Sequence, residues 1–202
     1  MENLNNYDAI KYETNNPIAK LILKNFFDAL EILLDTIHAE NVYEVGCGNG
    51  YVTEFLKRQY PKAHISAMDI DGQKVAIAKT RIEGINFSVG TIYDTMQQSD
   101  SFDLVISTEV LEHLDDPLRA LKELARISRR YILITTPNEP FWRIANMARL
   151  KYISAFGNTP GHINHWSKKS LCAFANEICN VQAVKTPFPF TILLCEKRCN
   201  VK

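Results

Sequence analysis

The stretch Glu44-Val-Gly-Cys-Gly-Asn-Gly50 places a carboxylate two residues ahead of three alternating glycines, directly behind a short apolar run that begins at Asn41. This order predicts a strand, a tight turn and a helix. Gly46, Gly48 and Gly50 allow backbone angles and close approaches that side chains forbid, so a ligand can lie against the main chain there. A pyrophosphate suits the turn poorly. Glu44 would repel it, and the spacing is Gly-x-Gly-x-Gly rather than Gly-x-Gly-x-x-Gly. A cationic ligand, with an ammonium for the same carboxylate, fits better.

A second carboxylate, Asp69, closes the apolar run Ala63 to Asp69 about 20 residues further on, where an acid can take the two hydroxyls of a ribose. Asp71 is read first as the N-cap of the next helix. No Arg adjoins Asp69 to receive a 2′-phosphate. Ser101 to Thr108 reads as a buried strand, and its end places Ser107, Thr108 and Glu109 near a ligand crevice. His113 follows; its imidazole either takes a proton from a substrate or only hydrogen-bonds locally. Glu112 is read as structural or solvated. His162 and His165 lie in the turn-rich stretch Gly157 to Trp166 and offer a base or a substrate contact. Two histidines three apart would need a third ligand to hold a metal, and none is evident, so no metal is expected.

With those residues in place, Glu44 to Gly50 resembles motif I of the class I S-adenosylmethionine-dependent methyltransferases. Phe102-Asp-Leu-Val and Leu111-Glu-His-Leu resemble a strand and the stretch after it in the family's small-molecule, type 11-like branch. The resemblance implies a Rossmann-like, doubly wound sheet of seven strands in the order 3-2-1-4-5-7-6, with strand 7 antiparallel. It implies S-adenosylmethionine as cofactor and S-adenosylhomocysteine as product. In the family the glycine loop lies beneath the methionine part and ribose, and the acid equivalent to Glu44 holds the amino group directly or through water. Thr91 stands where the family commonly has an acid for the adenine. That contact then falls to the Thr91 hydroxyl, to Asp94 or to the backbone at Ile92. The expected cofactor contacts are Glu44, Gly46, Cys47, Gly48, Gly50, Asp69, Ile70, Thr91, Ile92 and Thr108. His162, with Trp166-Ser167 after it, resembles a His found before the last helix of many small-molecule members, so the expected catalytic set is His162, His113 and Glu109.

The implied reaction is methyl transfer to a small-molecule acceptor, with oxygen the first choice of atom and nitrogen or carbon the second. Proximity and desolvation carry most of such a transfer; a base is needed only for a hydroxyl or a protonated amine. The Asn/Asp-Pro-Pro-aromatic motif of amino-group methyltransferases is absent, and so is the Pro-Cys pair of cytosine-C5 enzymes. The 23 basic and 23 acidic residues give no excess charge for a polyphosphate. Nucleic acid is therefore not the expected substrate.

The elements that must position these groups follow from periodicity and punctuation. With 202 residues, 46% of them hydrophobic, the chain is expected to form one α/β domain, residues 1–40 supplying an N-terminal helical cap. A helix is expected from Pro17 to His38, with Ile22, Phe26, Leu30, Leu33 and Ile37 on one face. Others are expected over Tyr51 to Gln59, Gly72 to Glu83, Pro117 to Ile127 and Leu171 to Cys179. Arg126, Arg129 and Arg130 are read as complementing a helix C-terminus. Tyr131 to Pro137 is the fifth strand, and Val181 to Lys185 with Thr191 to Glu196 the closing antiparallel pair. Residues 138–166, inserted after the fifth strand, form the expected substrate lid. There Phe141, Ala145, Ala148 and Tyr152 share a helix face, and Phe141, Trp142, Met147 and Phe156 suit an aromatic or lipidic acceptor. No apolar run is long enough to span a membrane and no secretory signal is visible, so a cytoplasmic location is expected. The five cysteines are read as reduced thiols. Two other classes stay open: a nicotinamide-dependent oxidoreductase and a non-catalytic S-adenosylmethionine-binding partner.

Overall fold

In the computed structural model, residues 12–148 and 153–198 are described. Seven strands, β1 (Asn41–Val45), β2 (His64–Asp69), β3 (Asn86–Val89), β4 (Phe102–Thr108), β5 (Ser128–Pro137), β6 (Cys179–Lys185) and β7 (Phe190–Lys197), form one sheet in the order β3-β2-β1-β4-β5-β7-β6. The first five pair in parallel. β7 runs antiparallel to both β5 and β6. Sheet order and strand sense are those expected.

The helices are α1 (Pro17–Leu34), α2 (Tyr51–Gln59), α3 (Gly72–Arg81), α4 (Pro117–Ile127), α5 (Phe141–Ala148) and α6 (Lys168–Ala175). Period-2 alternation splits the buried strand residues between the two faces of the sheet. Val42, Leu104, Ile106 and Leu133 pack with Phe26, Leu30 and Leu34 of α1 and Leu56 of α2. Tyr43, Val45, Val105, Ile132 and Ile134 pack with Leu124 and Ile127 of α4 and Leu171 of α6. Both faces are covered, which is what a central parallel sheet requires. Val75, Ala78 and Ile82 bury a third apolar patch against Ala67 and Phe87.

Caps fix where the helices start. Asn16 accepts from the Ile18 and Ala19 amides, Asp71 from Gln73 and Lys74, and Asp116 from Arg119, so Asp71 caps as expected. Ser167 and Ser170 form a reciprocal capping box. That box starts α6 at Lys168, three residues before the expected Leu171, and the helix ends at Ala175 because Cys179 already belongs to β6. α1 stops at Leu34 and α3 at Arg81, four and two residues short of expectation. β5 begins at Ser128 instead of Tyr131. Arg126 lies in the last turn of α4 as expected and also pairs with Glu123, whereas Arg129 and Arg130 belong to β5 and pair with Asp103 and Glu196. Cys47, Cys172, Cys179 and Cys195 are unbridged; Cys199 lies outside the described residues. No helix among the described residues is long and apolar enough to cross a membrane.

Candidate active site

The glycine turn, Asp69, Thr91 and Glu109 all follow the carboxyl ends of adjacent parallel strands, the edge on which open α/β sheets bind ligands. Backbone hydrogen bonds lash the loops together. Gly46 and Cys47 donate to the Met68 carbonyl at 2.8 and 2.9 Å, Gly90 donates to Asp69 at 3.0 Å, and Glu109 donates to Thr135 at 3.1 Å.

Gly46 has φ +84°, and a Cβ built on it would lie 2.3 Å from Cγ2 of Val110. Any side chain there would collide with the loop leaving β4 as well as strain the backbone. Gly50, also at φ +84°, opens α2 where Ala78 and Ile82 of α3 approach to about 3 Å of a built Cβ. The first and third glycines therefore serve packing, and the packing holds the turn's backbone in place.

Glu44 is 1% exposed. Its Oε2 accepts from Thr53 Oγ1 on α2 at 2.5 Å, and its Oε1 is buried without a hydrogen-bond partner. Burial raises its pKa to about 7 against the opposing Thr53 hydrogen bond, and the Asp69 charge adds to the rise. A buried carboxylate with one satisfied oxygen is what an incoming ammonium would complete.

Asp69 is already aimed. Its Oδ2 accepts from the Gly48 amide at 2.8 Å and its Oδ1 from the Asp71 amide at 2.9 Å, so the turn orients the carboxylate while each oxygen keeps a second acceptor site. Ile70 beside it is 76% exposed, an apolar surface next to the crevice. Thr91 bridges to Asp94, and its Oγ1 accepts from the Tyr93 amide at 3.3 Å; Ile92 is buried. Thr108 and Ser107 are buried at the end of β4. Glu109 follows at φ 56°, a left-handed backbone for a non-glycine residue, and its Oε1 accepts from Thr135 Oγ1 at 3.0 Å.

The histidines divide. His162 is buried, at 7% exposure; its ring meets that of His113 edge-on at 4.8 Å and lies nearly parallel to Trp142 at 6.0 Å. His113 Nδ1 is 2.9 Å from the Gly161 carbonyl oxygen. His165 is exposed and turns away to Asn158 Oδ1 at 2.7 Å, so the two histidines that are close in sequence do not converge. Glu112, expected to be structural or solvated, is 1% exposed, and its backbone carbonyl accepts from Ile163 and Asn164 at 2.9 and 3.0 Å. Residues 158–166 are thereby tied to the loop after β4. Phe141, Met147 and Phe156 are exposed, whereas Trp142 packs on Phe190 and donates through Nε1 to Thr159 at 2.8 Å. Arg149, Lys151 and Tyr152 lie outside the described residues.

Sequence reasoning missed Thr53, Val110 and the approach of Glu112 to His162. Only Thr53 left a trace, as a polar residue nine positions after Glu44 on a helix.

A family model described as a methyltransferase domain matches residues 43–131, from the middle of β1 into β5. Over those residues the chain is similar to that family. Curated relatives of the domain include the malonyl-acyl-carrier-protein O-methyltransferase of Bacillus anthracis, 30% identical over 121 residues, 59% of this chain and 45% of the relative. Trans-aconitate 2-methyltransferase of Mycobacterium tuberculosis is 37% identical over 91 residues, 43% of this chain and 34% of the relative. The chain thus spans less than half the length of either relative. Among solved structures, a S-adenosylmethionine-dependent methyltransferase from Aquifex aeolicus superimposes with TM-score 0.68 at 16% identity, covering 94% of this chain and 98% of that one. Magnesium protoporphyrin IX methyltransferase from Synechocystis, with bound S-adenosylhomocysteine, gives TM-score 0.67 at 14% identity, covering 95% and 97%. These likenesses extend the domain's fold beyond residue 131, through β7.

Proposed function

We propose that this chain transfers the methyl group of S-adenosylmethionine to an oxygen of a small-molecule acceptor. The observation that carries the reading is the buried carboxylate of Glu44, half satisfied by Thr53, behind a glycine turn whose own amide aims Asp69. Glu44 receives the cofactor's ammonium, the turn from Gly46 to Gly50 with Cys47 backs its methionine part, and Asp69 takes the ribose hydroxyls. Ile70, Thr91, Ile92 and Thr108 line the adenine and sulfonium ends. The bound cofactor supplies an electrophilic methyl group on a sulfonium; the protein's part is to align the acceptor with it and exclude water.

His113, His162 and Glu109 stand on the acceptor side. The Gly161 carbonyl can only accept, so His113 donates to it from Nδ1, and this bond orients the ring. Residues 138–166 act as the lid: Ile163 and Asn164 within that range are bonded to the loop after β4, and that loop touches Gly46 through Val110. The exposed Phe141, Met147 and Phe156 favour an acceptor with an aromatic or lipidic part. Oxygen as acceptor atom agrees with the name of the malonyl-acyl-carrier-protein relative. The nicotinamide alternative is disfavoured by the antiparallel β7 lying between β5 and β6, since a dinucleotide sheet runs 3-2-1-4-5-6.

Calorimetry with S-adenosylhomocysteine and with NAD tests the cofactor half. One site per chain for the first and none for the second is expected, and the reverse result overturns the reading. Labelled methyl transfer to a panel of hydroxy and carboxylic acids tests the acceptor half.

A further inference from the structure

The short helical turn Leu111–His113 leaves β4 carrying Glu112 and His113, and the chain returns 49 residues later to set His162 against them. One ligand atom from each of Glu112, His113 and His162 lies within 4.8 Å of the other two. Donors around a tetrahedral cation at about 2.1 Å stand about 3.4 Å from one another, so movements on the order of 1 Å would bring all three into contact with one ion.

Three further features separate this cluster from a chance meeting of polar side chains. His113 Nδ1 lies 2.9 Å from the Gly161 carbonyl, which can only accept, and a metal-binding histidine is oriented in this way by a carbonyl on its other nitrogen. Glu112 and His162 are both almost wholly withdrawn from water, so two of the three donors lie in a dry site. The backbone beneath the donors is also pinned. Ile163 and Asn164 donate to the Glu112 carbonyl, the Asn164 side chain donates to the Leu111 and Leu114 carbonyls at 3.2 and 2.6 Å, and His162 donates to Thr159 at 3.1 Å.

We propose that Glu112, His113 and His162 bind one divalent transition-metal cation. Two imidazoles with one carboxylate suit Zn2+ or Co2+ rather than Mg2+ or Ca2+, which prefer all-oxygen surroundings, and three protein donors leave a coordination position for an oxygen of another molecule. Metal binding stands without the methyltransferase reading. Its role rests on that reading: the cation holds the acceptor oxygen and lowers its pKa, and His113 and His162 then act as ligands in place of proton acceptors.

The test uses the untagged chain, stripped with a chelator, titrated with Zn2+ by calorimetry and with Co2+ by visible absorption. One ion per chain is expected, with affinity at least tenfold weaker in His113→Ala, His162→Ala and Glu112→Gln and unchanged in His165→Ala. Because Glu112 and His162 are buried, circular dichroism and S-adenosylhomocysteine affinity are measured on every variant. His113, which is exposed, gives the replacement least able to disturb the core. Absence of a one-to-one Zn2+ site, or equal affinity in His113→Ala and His165→Ala, overturns the inference. Zn2+ binding without S-adenosylhomocysteine binding supports the metal site and overturns the methyltransferase reading; the opposite pattern does the reverse.

Discussion

Thr53 on α2 donates its hydroxyl proton to Oε2 of Glu44 on β1 at 2.5 Å, while the other carboxylate oxygen is buried without a partner. The helix that begins at the glycine turn thus bonds back to the acid that precedes it, fixing one oxygen of the carboxylate.

Proton linkage at Glu44 has a definite sign. The folded protein holds the carboxyl proton up to about pH 7, whereas the ordinary carboxyl loses it near 4.5. Folding therefore takes up a proton in that window. Stability contributed by the neutral form is full at low pH and declines as pH rises from about 4.5 through about 7, by on the order of 3 kcal/mol. An ammonium ligand prefers the ionised form, so S-adenosylhomocysteine affinity should rise with pH across the upper part of this window. In Glu44→Gln the slope should vanish. A persistent slope in calorimetry at pH 5.5, 6.5 and 7.5 would mean that another group controls it.

Asp69→Ala removes two charge-assisted hydrogen bonds to a ribose, each worth about 1.5–3 kcal/mol. Affinity for S-adenosylhomocysteine should fall at least tenfold, with a smaller loss of stability from the Gly48 and Asp71 amides it leaves behind. Unchanged affinity would falsify the ribose assignment.

Gly46→Ala should cost about 1–3 kcal/mol in chemical denaturation and weaken cofactor binding, because the new methyl meets Val110 and the residue sits at positive φ. Adding Val110→Ala should relieve the collision and recover part of the loss. No recovery would place the whole cost in the backbone conformation.

His162→Ala should lower turnover on a hydroxyl or carboxyl acceptor by roughly 100-fold with cofactor affinity nearly unchanged, whether the imidazole takes a proton or holds a cation. His165→Ala should have little effect, since His165 faces Asn158. If the two variants behave alike, the acceptor-side assignment fails.

Amide exchange over residues 158–166 should slow when S-adenosylhomocysteine and an acceptor are bound together, as expected of a segment that closes on the site. Protection confined to residues 44–50 would leave the lid without support.

Much of this was legible in sequence because its signals are local. The Gly-x-Gly-x-Gly turn, the cap Asp71 and the apolar strands each announce themselves within a few residues, and the strand order followed from the family resemblance. The start of β5 was hidden: Ser128, Arg129 and Arg130 are unlike strand residues, and they join the sheet through pairing with β4 and ion pairs to Asp103 and Glu196. α6 was displaced because its apolar residues begin at Leu171, while the Ser167–Ser170 capping box starts the helix earlier. The cluster of Glu112, His113 and His162 was invisible for a different reason. Its members are adjacent only because Asn164 and Ile163 dock on the Leu111–Leu114 loop, a contact that no spacing rule encodes.

The position of β7 bears on how the chain is made. It is the last strand in the sequence, yet it lies inside the sheet, bonded to β5 on one side and β6 on the other. As the polypeptide leaves the ribosome, β1 to β5 can assemble while the outer edge of β5 has no neighbour. Such an open row of backbone N–H and C=O groups invites pairing with other nascent chains. A fragment ending before Phe190 would keep that edge open, and sheet order alone makes β7 the strand that closes it.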